Sequence, residues 1–289
     1  RKLVDAGMVV VAAAGNNGKN AAGQKMYGAI HAPGNDPSVI TVGATNTYGT
    51  NNRDDDGIAT FSSRGPTRSF YTDSTGTKKY DHLIKPDLVA PGNKLVSAIG
   101  LDSRLLDQNP WLAVYPTSSN NDNVTLMHLS CTSLSTPIVA GTAALLLQAN
   151  PKLTPNMVKM LLEYTAQPLA GYNMFEQGAG QLNVEGAVSI AKLVRQDLPN
   201  PTPVGTPLLT TSQIPDHTST ISGTRFQWAG GILPSYGTMT GTDLIMKYQG
   251  IYGLGIIVGD GILVSDGIIV GDGILVSDGI IVGDGILVS

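Results

Sequence analysis

The 289-residue chain contains a single cysteine, so no disulfide can form within it. Charged residues make up only 14% of the chain, and no uninterrupted apolar run reaches the length of a membrane span. The net charge is −4, and the chain lacks the basic character expected of a nucleic-acid-binding protein. Together with 35 glycines, this composition favours a compact, loop-rich protein that works outside the cell or at its surface.

A serine stands just before a stretch that has the character of a buried helix. Residues 130–137 read Ser-Cys-Thr-Ser-Leu-Ser-Thr-Pro, and small or aliphatic residues follow as far as Leu147. This pattern predicts a helix with Pro137 in its first turn. A serine hydroxyl is a weak nucleophile without a base and without N–H groups that receive the developing oxyanion, and a helix N-terminus supplies such groups. Ser133 is therefore a candidate nucleophile.

A second candidate follows a predicted strand. Residues 8–14 are apolar and run into Gly15-Asn16-Asn17-Gly18, which has the composition of a turn. The side-chain amide of an asparagine can donate hydrogen bonds to an oxyanion. Asn16 is therefore a candidate oxyanion donor.

Four motifs occur in a fixed order along the chain. They are Ala13-Ala14-Gly15-Asn16-Asn17-Gly18, then Phe-Ser-Ser-Arg-Gly-Pro at 61–66, Lys-Pro-Asp-Leu-Val-Ala-Pro-Gly at 85–92 and Thr-Ser-Leu-Ser-Thr-Pro at 132–137. In this order they resemble the subtilisin-like serine peptidases, or subtilases, over about residues 1–190. The resemblance implies a three-layer α/β fold around a parallel sheet. It also implies an endopeptidase that acts on polypeptide substrates through a serine acyl-enzyme. No cofactor is expected, although subtilases often bind calcium as a structural ion.

The resemblance implies roles for individual residues. Ser133 would attack the scissile carbonyl, and the oxyanion would accept hydrogen bonds from the Ser133 backbone N–H and the Asn16 side chain. Ala13, Ala14 and Gly15 would form one wall of the pocket that receives the substrate side chain preceding the cut.

His31 is the remaining candidate for the substrate pocket. The resemblance of the segment that contains it places His31 near the pocket floor, where an imidazole would narrow or polarise the pocket. A surface position at the end of the 19–30 loop is an equally good interpretation of this histidine. The sequence therefore leaves the substrate specificity open.

Two members of the expected catalytic triad have no match. Subtilases carry their triad in the order Asp, His, Ser, and the first two members should precede the oxyanion asparagine. Only one acid, Asp5, and no histidine precede Asn16, and none of the four histidines is followed by Gly-Thr. Asp73-Ser74-Thr75-Gly76 has one residue too many for the family motif and comes too late, so it is interpreted as a turn. The histidines are His31, His82, His128 and His217.

These absences lead to two readings of the chain. In the first, it is a fragment of a serine endopeptidase whose Asp and His lie upstream, and alone it has little or no proteolytic activity. Residues 1–7, which read as the end of a helix closed by Gly7, also favour a fragment. In the second, it is a non-catalytic secreted binding or surface-assembly protein with a relic peptidase fold and a β-repeat tail.

Two positions beside the nucleophile depart from the family pattern. Cys131 stands where subtilases usually have glycine, so strain in the backbone or a shifted Ser133 is one expectation. The Cys131 thiol itself is interpreted as inert. Leu134 stands where methionine is usual, which predicts resistance of an active form to peroxide.

The chain divides into three predicted regions: 1–196, the C-terminal part of a subtilase catalytic domain; 197–254, a proline-rich linker with an unassigned region; and 255–289, a β tail of hexapeptide repeats. In the first, the strand-like runs 9–13, 39–42, 88–90 and 95–99 predict a parallel sheet covered on both faces. Thr154 and Asn183 are predicted N-caps of two later helices.

The tail repeats Gly-Ile-Ile-Val-Gly-Asp and Gly-Ile-Leu-Val-Ser-Asp. Asp-Gly pairs such as Asp260-Gly261 would form hairpin turns between short strands, or the hexads would wind as faces of a β-helix. Either arrangement exposes apolar strands, so self-association is expected of the tail. The tail aspartates and residues 54–56 are weighed as calcium ligands, but turn formation is the preferred interpretation and no metal site is assigned.

Overall fold

The computed structural model describes residues 1–100, 102–115, 126–234 and 236–253, together with short strand segments of the repeat tail between 262 and 288. The strands are β1 Val11–Ala13, β2 Ile40–Asn46, β3 Gly57–Ile58, β4 Phe70–Thr72, β5 Lys78–Tyr80, β6 Leu88–Pro91, β7 Leu95–Ala98, β8 Ala113–Val114, β9 Leu126–Leu129, β10 Thr218–Ile221, β11 Thr224–Gln227, β12 Gly231–Ile232, β13 Met239–Thr240, β14 Ile262–Ser265, β15 Ile269–Val270, β16 Ile274–Ser277, β17 Ile281–Val282 and β18 Ile286–Val288.

The helices come before and between these strands along the chain. They are α1 Lys2–Asp5, α2 Arg104–Gln108, α3 Thr132–Ala149, α4 Pro155–Tyr164, α5 Met174–Gln177, α6 Val184–Ala191 and α7 Asp243–Met246, and short 3₁₀ turns occupy Pro110–Leu112 and Gly250–Tyr252. Thr154 and Asn183 cap α4 and α6 with their side chains, which confirms both predicted N-caps.

A small parallel sheet lies at the centre of the structure. Strand β2 pairs in parallel with β1 on one side and with β6 on the other, and the short β3 pairs with its far end in antiparallel orientation. The prediction of parallel strands is confirmed for these three runs but is wrong for 95–99. Strand β7 pairs in antiparallel orientation with β9 in a separate sheet. Its side chains are alternately half-buried and exposed, as expected for a sheet with one face in solvent.

Helix α3 packs against β1, β2 and β6 and carries the predicted nucleophile in its first turn. It buries Val139, Ala143 and Leu146 in the main core. By length and composition alone α3 could cross a membrane, but core helices of soluble proteins pass the same test. Pro137 lies inside the helix and not in its first turn, because the helix already begins at Thr132. Since proline has no N–H, the Ser133 carbonyl lacks its helical donor there.

The two faces of the parallel sheet differ in what covers them. Helices α3, α4 and α6 pack into one core with Leu88 and Ala90. The neighbouring Val89 points to the other face, where Ile58 and Leu169 form a small cluster with Tyr172 against them. The described part therefore has helices on one face of the sheet and a thin layer of loop residues on the other.

The main core continues past residue 196, where the sequence suggested a domain boundary. Leu208, Trp228, Ile232 and Tyr252 are buried with the residues of α4 and α6. The Trp228 indole N–H donates to the Ser219 hydroxyl at 3.0 Å. Short strands and turns separate these apolar residues, so they show no helix or strand period that sequence analysis could detect.

The described strands of the repeat tail pair in parallel. Ile262 pairs with Ile274 and Ile274 with Ile286, a spacing of twelve residues, and β15 pairs with β17 at the same spacing. Hairpins between successive hexads would pair neighbouring strands in antiparallel orientation instead. The turns at Asp260-Gly261 and the other tail aspartates lie outside the described residues.

A buried charged cluster lies at the amino ends of β2 and β6. Asp87, which precedes β6, contacts the ammonium groups of Lys85 at 2.7 Å and of Lys159 at 2.8 Å. It also accepts the backbone N–H of Thr41 at 2.6 Å. One oxygen of Glu163 lies 3.9 Å from Lys159, and the other accepts the Leu233 N–H at 2.7 Å. The cluster thus joins the sheet, α4 and the segment after β12.

Burial and charge act in opposite directions on the pKa values of this cluster. Burial alone would raise the pKa of Asp87, but Lys159 and Lys85 hold it below its ordinary value. Burial raises the pKa of Glu163 to about 8 in spite of the nearby Lys159. Burial also lowers the pKa of Lys85 to about 8, against the attraction of Asp87. Burial would lower the pKa of Lys159, but Asp87 and Glu163 hold it above its ordinary value. Asp87 and Lys159 are therefore the charges of the cluster whose ionised forms are favoured.

Candidate active site

The candidate active site lies at the carboxyl end of β1, where parallel α/β sheets usually bind ligands. After Ala13 the chain turns through Gly15 to Asn16, and the N-terminus of α3 lies against this turn. A pocket of about 450 Å³ opens there. Its lining residues come from β1, from the turn, from 31–33 and from α3, and they are Val11, Ala12, Ala13, Gly15, Asn16, Asn17, His31, Ala32, Pro33, Thr132, Ser133 and Thr136.

Asn16 is held by the first residue of α3, although the two lie 116 positions apart. The Asn16 side-chain oxygen accepts the Thr132 backbone N–H at 2.9 Å and the Thr132 hydroxyl at 3.0 Å. Residue Cys131, at the N-cap position, makes no side-chain hydrogen bond to the helix. Asn16 therefore caps α3 from a distant loop. With its oxygen engaged, the amide nitrogen faces the other way, and no described residue accepts a hydrogen bond from it.

Gly15 allows the close approach of the turn to its neighbours. Its φ of +108° is in the region that only glycine adopts without strain. A β-carbon at this position would lie 2.8 Å from Cδ2 of His31 and 2.9 Å from the Ser63 hydroxyl. The Gly15 N–H donates to the Thr132 hydroxyl at 3.2 Å. The absence of a side chain at this position thus allows both the turn and the close approach of His31.

Ser133 is the second residue of α3 and is exposed to the pocket. No hydrogen bond to its hydroxyl or to its backbone N–H occurs among the described residues. The N-terminus of an α-helix carries a partial positive charge and has unpaired N–H groups, which favour a nearby anion. The Ser133 N–H and the Asn16 amide are therefore two donors available at one pocket. Buried Ser135 anchors the same helix turn to the sheet through the Ala90 carbonyl, at 3.0 Å.

The second motif supports the turn that carries Asn16. The Ser63 hydroxyl accepts the Asn17 N–H at 3.0 Å, and the Ser63 N–H donates to the Gly15 carbonyl at 2.9 Å. The guanidinium of Arg64 donates to the Gly18 carbonyl and contacts Glu176 at 3.1 Å. Residues 61–66 are thus part of the scaffold of the site and not of the pocket lining.

The predicted pocket residues do not all reach the pocket. Ala13, Gly15 and His31 line it, whereas Ala14 is fully buried and does not. The pocket does not include Ala14 because the chain turns at Gly15 and leaves that methyl group in the interior. Thr132 and Thr136, which line the pocket, were not predicted individually, and their only signal was membership of the Thr-Ser-Leu-Ser-Thr-Pro motif.

The other histidines and the cysteine lie in separate surroundings. His82 stacks on Tyr80, His128 belongs to β9, and His217 stacks on Trp228. In the part of the chain that the structure describes, no histidine makes a hydrogen bond to Ser133. Cys131 has φ −169° and ψ 163°, an extended backbone that any residue adopts, so the expected strain at this position is absent.

The acidic segment at 54–56 is organised by hydrogen bonds. Asp55 accepts the Thr50 hydroxyl at 3.0 Å, and Asp56 accepts the Gln181 amide at 2.6 Å. Burial raises the pKa of Asp56, although Gln181 and Arg53 counteract this effect. Among the described residues, no group of three or more His, Cys, Asp or Glu side chains is placed to hold a metal ion.

Comparison with known families settles the membership of the chain. The model of the subtilase family, Peptidase_S8, matches residues 2–184, which include all four motifs. This chain belongs to the subtilase family. The match confirms the resemblance inferred from the motifs and supports a subtilisin-type serine peptidase in general.

Individual subtilases match over the same part of the chain. Serine protease AprX of Bacillus subtilis is 38% identical over 183 residues, which is 63% of this chain and 36% of AprX. Subtilisin-like protease SBT6.1 of Arabidopsis thaliana is 29% identical over 197 residues, 66% of this chain and 15% of that protein. Among solved structures, fervidolysin from Fervidobacterium pennivorans, a keratinolytic enzyme related to subtilisin, is 26% identical, with a TM-score of 0.43, and the match covers 64% of this chain and 23% of fervidolysin. The subtilase chain thus spans well under half the length of these relatives.

Proposed function

We propose that this subtilase chain carries the nucleophile and the oxyanion-binding groups of a serine endopeptidase that cleaves polypeptides. One observation supports this most strongly. The oxygen of the Asn16 amide is tied to the start of α3, so its nitrogen is free for a ligand beside an exposed Ser133. A purely structural capping residue would need only the oxygen.

The chemistry follows from these groups. The Ser133 hydroxyl oxygen attacks the carbonyl carbon of the scissile peptide bond and gives up its proton to a base. The negative charge moves to the carbonyl oxygen, which accepts hydrogen bonds from the Ser133 N–H and the Asn16 amide, each worth about 3 kcal/mol in the transition state. The amine leaves with a proton, and water then hydrolyses the acyl-enzyme.

The base and the carboxylate that orients it are proposed to come from a part of the peptidase outside these 289 residues. The described residues place no histidine in hydrogen-bond contact with Ser133. A serine without its base loses most of its rate even when the oxyanion donors remain. The 289-residue chain alone is therefore expected to hydrolyse peptides very slowly.

The remaining expectations concern substrate and location. The substrate side chain preceding the cut would enter the pocket between Ala13 and Gly15 on one side and His31 on the other. An imidazole at this wall offers a hydrogen-bond partner and limits the width of the pocket. The protein is proposed to act outside the cell or at its surface, and the apolar repeat strands are proposed to allow self-association.

A labelling experiment tests the proposal. The reading frame upstream of Arg1 is examined for Asp-Ser/Thr-Gly and His-Gly-Thr segments, and the protein that contains them is treated with a fluorescent fluorophosphonate. We expect labelling of this longer protein, its loss in the Ser133→Ala variant, and faint labelling of the 289-residue chain.

The same experiment separates the two readings of the chain. Absence of either upstream segment, or a longer protein that does not label, would overturn the enzymatic proposal. The non-catalytic binding or surface-assembly protein would then be the better description, with the repeat tail as the place to look for its function.

A further inference from the structure

An exposed aromatic hairpin lies between the second and third motifs. Strands β4 and β5 pair only with each other among the described strands, and all six of their residues are exposed. Phe70 lies directly opposite Tyr80 in the register, with ring centroids 5.6 Å apart. Tyr80 stacks on His82 at 5.5 Å with nearly parallel rings, and the Lys78 ammonium lies 4.2 Å from the Phe70 ring centre. One face of the hairpin is therefore a continuous ridge of rings.

The ridge remains open to solvent. Phe70 is 50% exposed and Tyr80 is 46% exposed, so the two rings cover each other only in part. A cross-strand aromatic pair stabilises a hairpin by roughly 0.2–1 kcal/mol. This stabilisation explains why the two rings lie opposite each other, but it does not explain why they are exposed beside the ring of His82. Adjacent exposed rings of this kind are typical of surfaces that bind another molecule.

The hairpin is anchored to the loop that lines the candidate active site. Ser69, which precedes β4, accepts a hydrogen bond from the Asn35 side chain at 2.9 Å. The backbone N–H of Asn35 donates to the carbonyl of His31, a pocket residue, at 3.1 Å. The Arg68 guanidinium packs against Gly28, which lies in the same loop. A β-carbon on Gly28 would collide with that guanidinium. Two hydrogen bonds therefore connect the pocket wall with the start of the hairpin.

Both the edges and the rings of the hairpin suit one kind of ligand. Each strand has an outer edge with no strand partner among the described residues, and such an edge can pair with an extended main chain. Exposed rings beside that edge would pack against apolar side chains of the same segment.

We infer that the hairpin of residues 69–82 is an accessory binding surface for extended polypeptide substrates, linked through Asn35 to the wall of the pocket at Ser133. The inference rests on the proposed function in that the ligand is a polypeptide substrate. The main chain of the substrate pairs with the open hairpin edge, and its apolar side chains pack on Phe70 and Tyr80. The surface therefore favours long, unfolded substrates over short peptides.

Binding without turnover tests the inference. The 289-residue chain with Ser133→Ala is titrated against fluorescein-labelled, reduced and carboxymethylated lactalbumin, which is an unfolded polypeptide, and fluorescence anisotropy gives the Kd. The double variant Phe70→Ala/Tyr80→Ala should weaken binding about tenfold or more, since two rings lose their packing with the ligand. A labelled tetrapeptide that reaches only the pocket should bind both forms equally.

Matched variants make the result specific. Tyr71→Ala removes a ring that is 68% exposed on the opposite face of the same hairpin, and it should change the Kd by less than about twofold. Phe70→Leu/Tyr80→Leu keeps apolar side chains and should retain most of the affinity, which separates loss of contact from loss of the hairpin. Equal weakening by Tyr71→Ala, or unchanged binding in the double alanine variant, would overturn the inference.

Two further outcomes complete the test. Competition by maltoheptaose together with no binding of the polypeptide would assign the rings to a carbohydrate and overturn the inference. Because binding needs no hydrolysis, hairpin-dependent binding would stand even if Ser133 failed to label with the fluorophosphonate. Labelling without hairpin-dependent binding would overturn this inference and leave the proposed function intact.

Discussion

The two ends of the central parallel sheet differ in whether their polar groups have hydrogen-bond or ion-pair partners. At the carboxyl end of β1, Ser133 and the amide nitrogen of Asn16 are exposed and have no hydrogen-bond partner among the described residues. At the amino ends of β2 and β6, Asp87 is 1% exposed and contacts two ammonium groups and a backbone N–H. Polar groups are left available at one end, whereas both oxygens of the buried Asp87 carboxylate are engaged at the other.

This difference separates groups that are proposed to act on ligands from groups that hold the fold. An unpaired polar group is tolerated at the pocket because water reaches it, whereas an unpaired charge in the interior would be strongly destabilising. Both ends belong to family motifs, since Asp87 lies in the third motif and Ser133 in the fourth. Motif membership alone therefore does not distinguish catalysis from stability.

The largest effect is expected from Asp87→Ala. The substitution leaves the buried Lys85 and the partly buried Lys159 without their shared carboxylate, and the free energy of unfolding should fall by about 3–5 kcal/mol in urea denaturation at pH 7. Asp197→Ala is the control, because this carboxylate pairs with Arg195 at the surface, and it should leave the urea midpoint unchanged. Equal midpoints for the two variants would contradict the comparison.

Asn16→Asp should impair catalysis without disturbing the start of α3. Aspartate keeps an oxygen for the Thr132 N–H but replaces the donating amide nitrogen with a second, negatively charged oxygen. In a protein that contains the base, kcat should fall about 100- to 1,000-fold, while the urea midpoint stays close to that of the parent. An exposed asparagine outside the pocket provides the control, since Asn200→Asp makes the same change in charge there and should leave kcat nearly unchanged. A large loss of stability in Asn16→Asp would assign this residue to the fold instead.

Glu163→Gln should alter how stability depends on pH. Glu163 has a pKa of about 8 in the folded chain and an ordinary value of 4.5, so the folded state binds more protons between these values. The parent therefore loses stability as the pH rises from about 5 to about 8, and glutamine, which does not titrate, removes that loss. The free energy of unfolding is measured by urea denaturation at pH 5, 6.5 and 8. Between pH 5 and pH 8 the stability of the variant relative to the parent should rise by at least about 1 kcal/mol. Parallel curves for both proteins would show that Glu163 ionises normally.

Ser133→Ala should have the smallest effect on stability. The hydroxyl has no partner among the described residues, and alanine is a better helix former than serine. The free energy of unfolding should change by less than about 0.5 kcal/mol in the same urea assay. A loss above 1 kcal/mol would mean that Ser133 contributes to the fold as Asp87 does, and the contrast between the two ends would disappear.

Local patterns in the sequence were sufficient for several features. The side-chain caps Thr154 and Asn183 form hydrogen bonds three residues along the chain, so a short window contains both partners. The apolar runs of β2 and β6 likewise mark strands that are buried on both faces, whereas one face of β1 is half-buried and lines the pocket. The order of the motifs was enough to identify the family.

Other features depend on contacts between distant parts of the chain. Burial of Trp228 and Tyr252 beside α4 and α6 extends the core beyond residue 196. The sequence around these two residues has no helix or strand periodicity that would predict their burial. The antiparallel pairing of β7 depends on β9, about thirty residues further on. Such pairings are decided by which surfaces meet in three dimensions, and the residues of one strand do not specify their partner.

The sequence by itself determined the family, the candidate nucleophile Ser133 and the candidate donor Asn16. Only the tertiary structure decided that Asn16 caps α3 through Thr132, that Ala14 is buried away from the pocket, and that the buried Asp87 pairs with two lysines. The physical reason is that residue type sets what a side chain can donate or accept. The partner it meets is set by the packing of segments far apart in the chain.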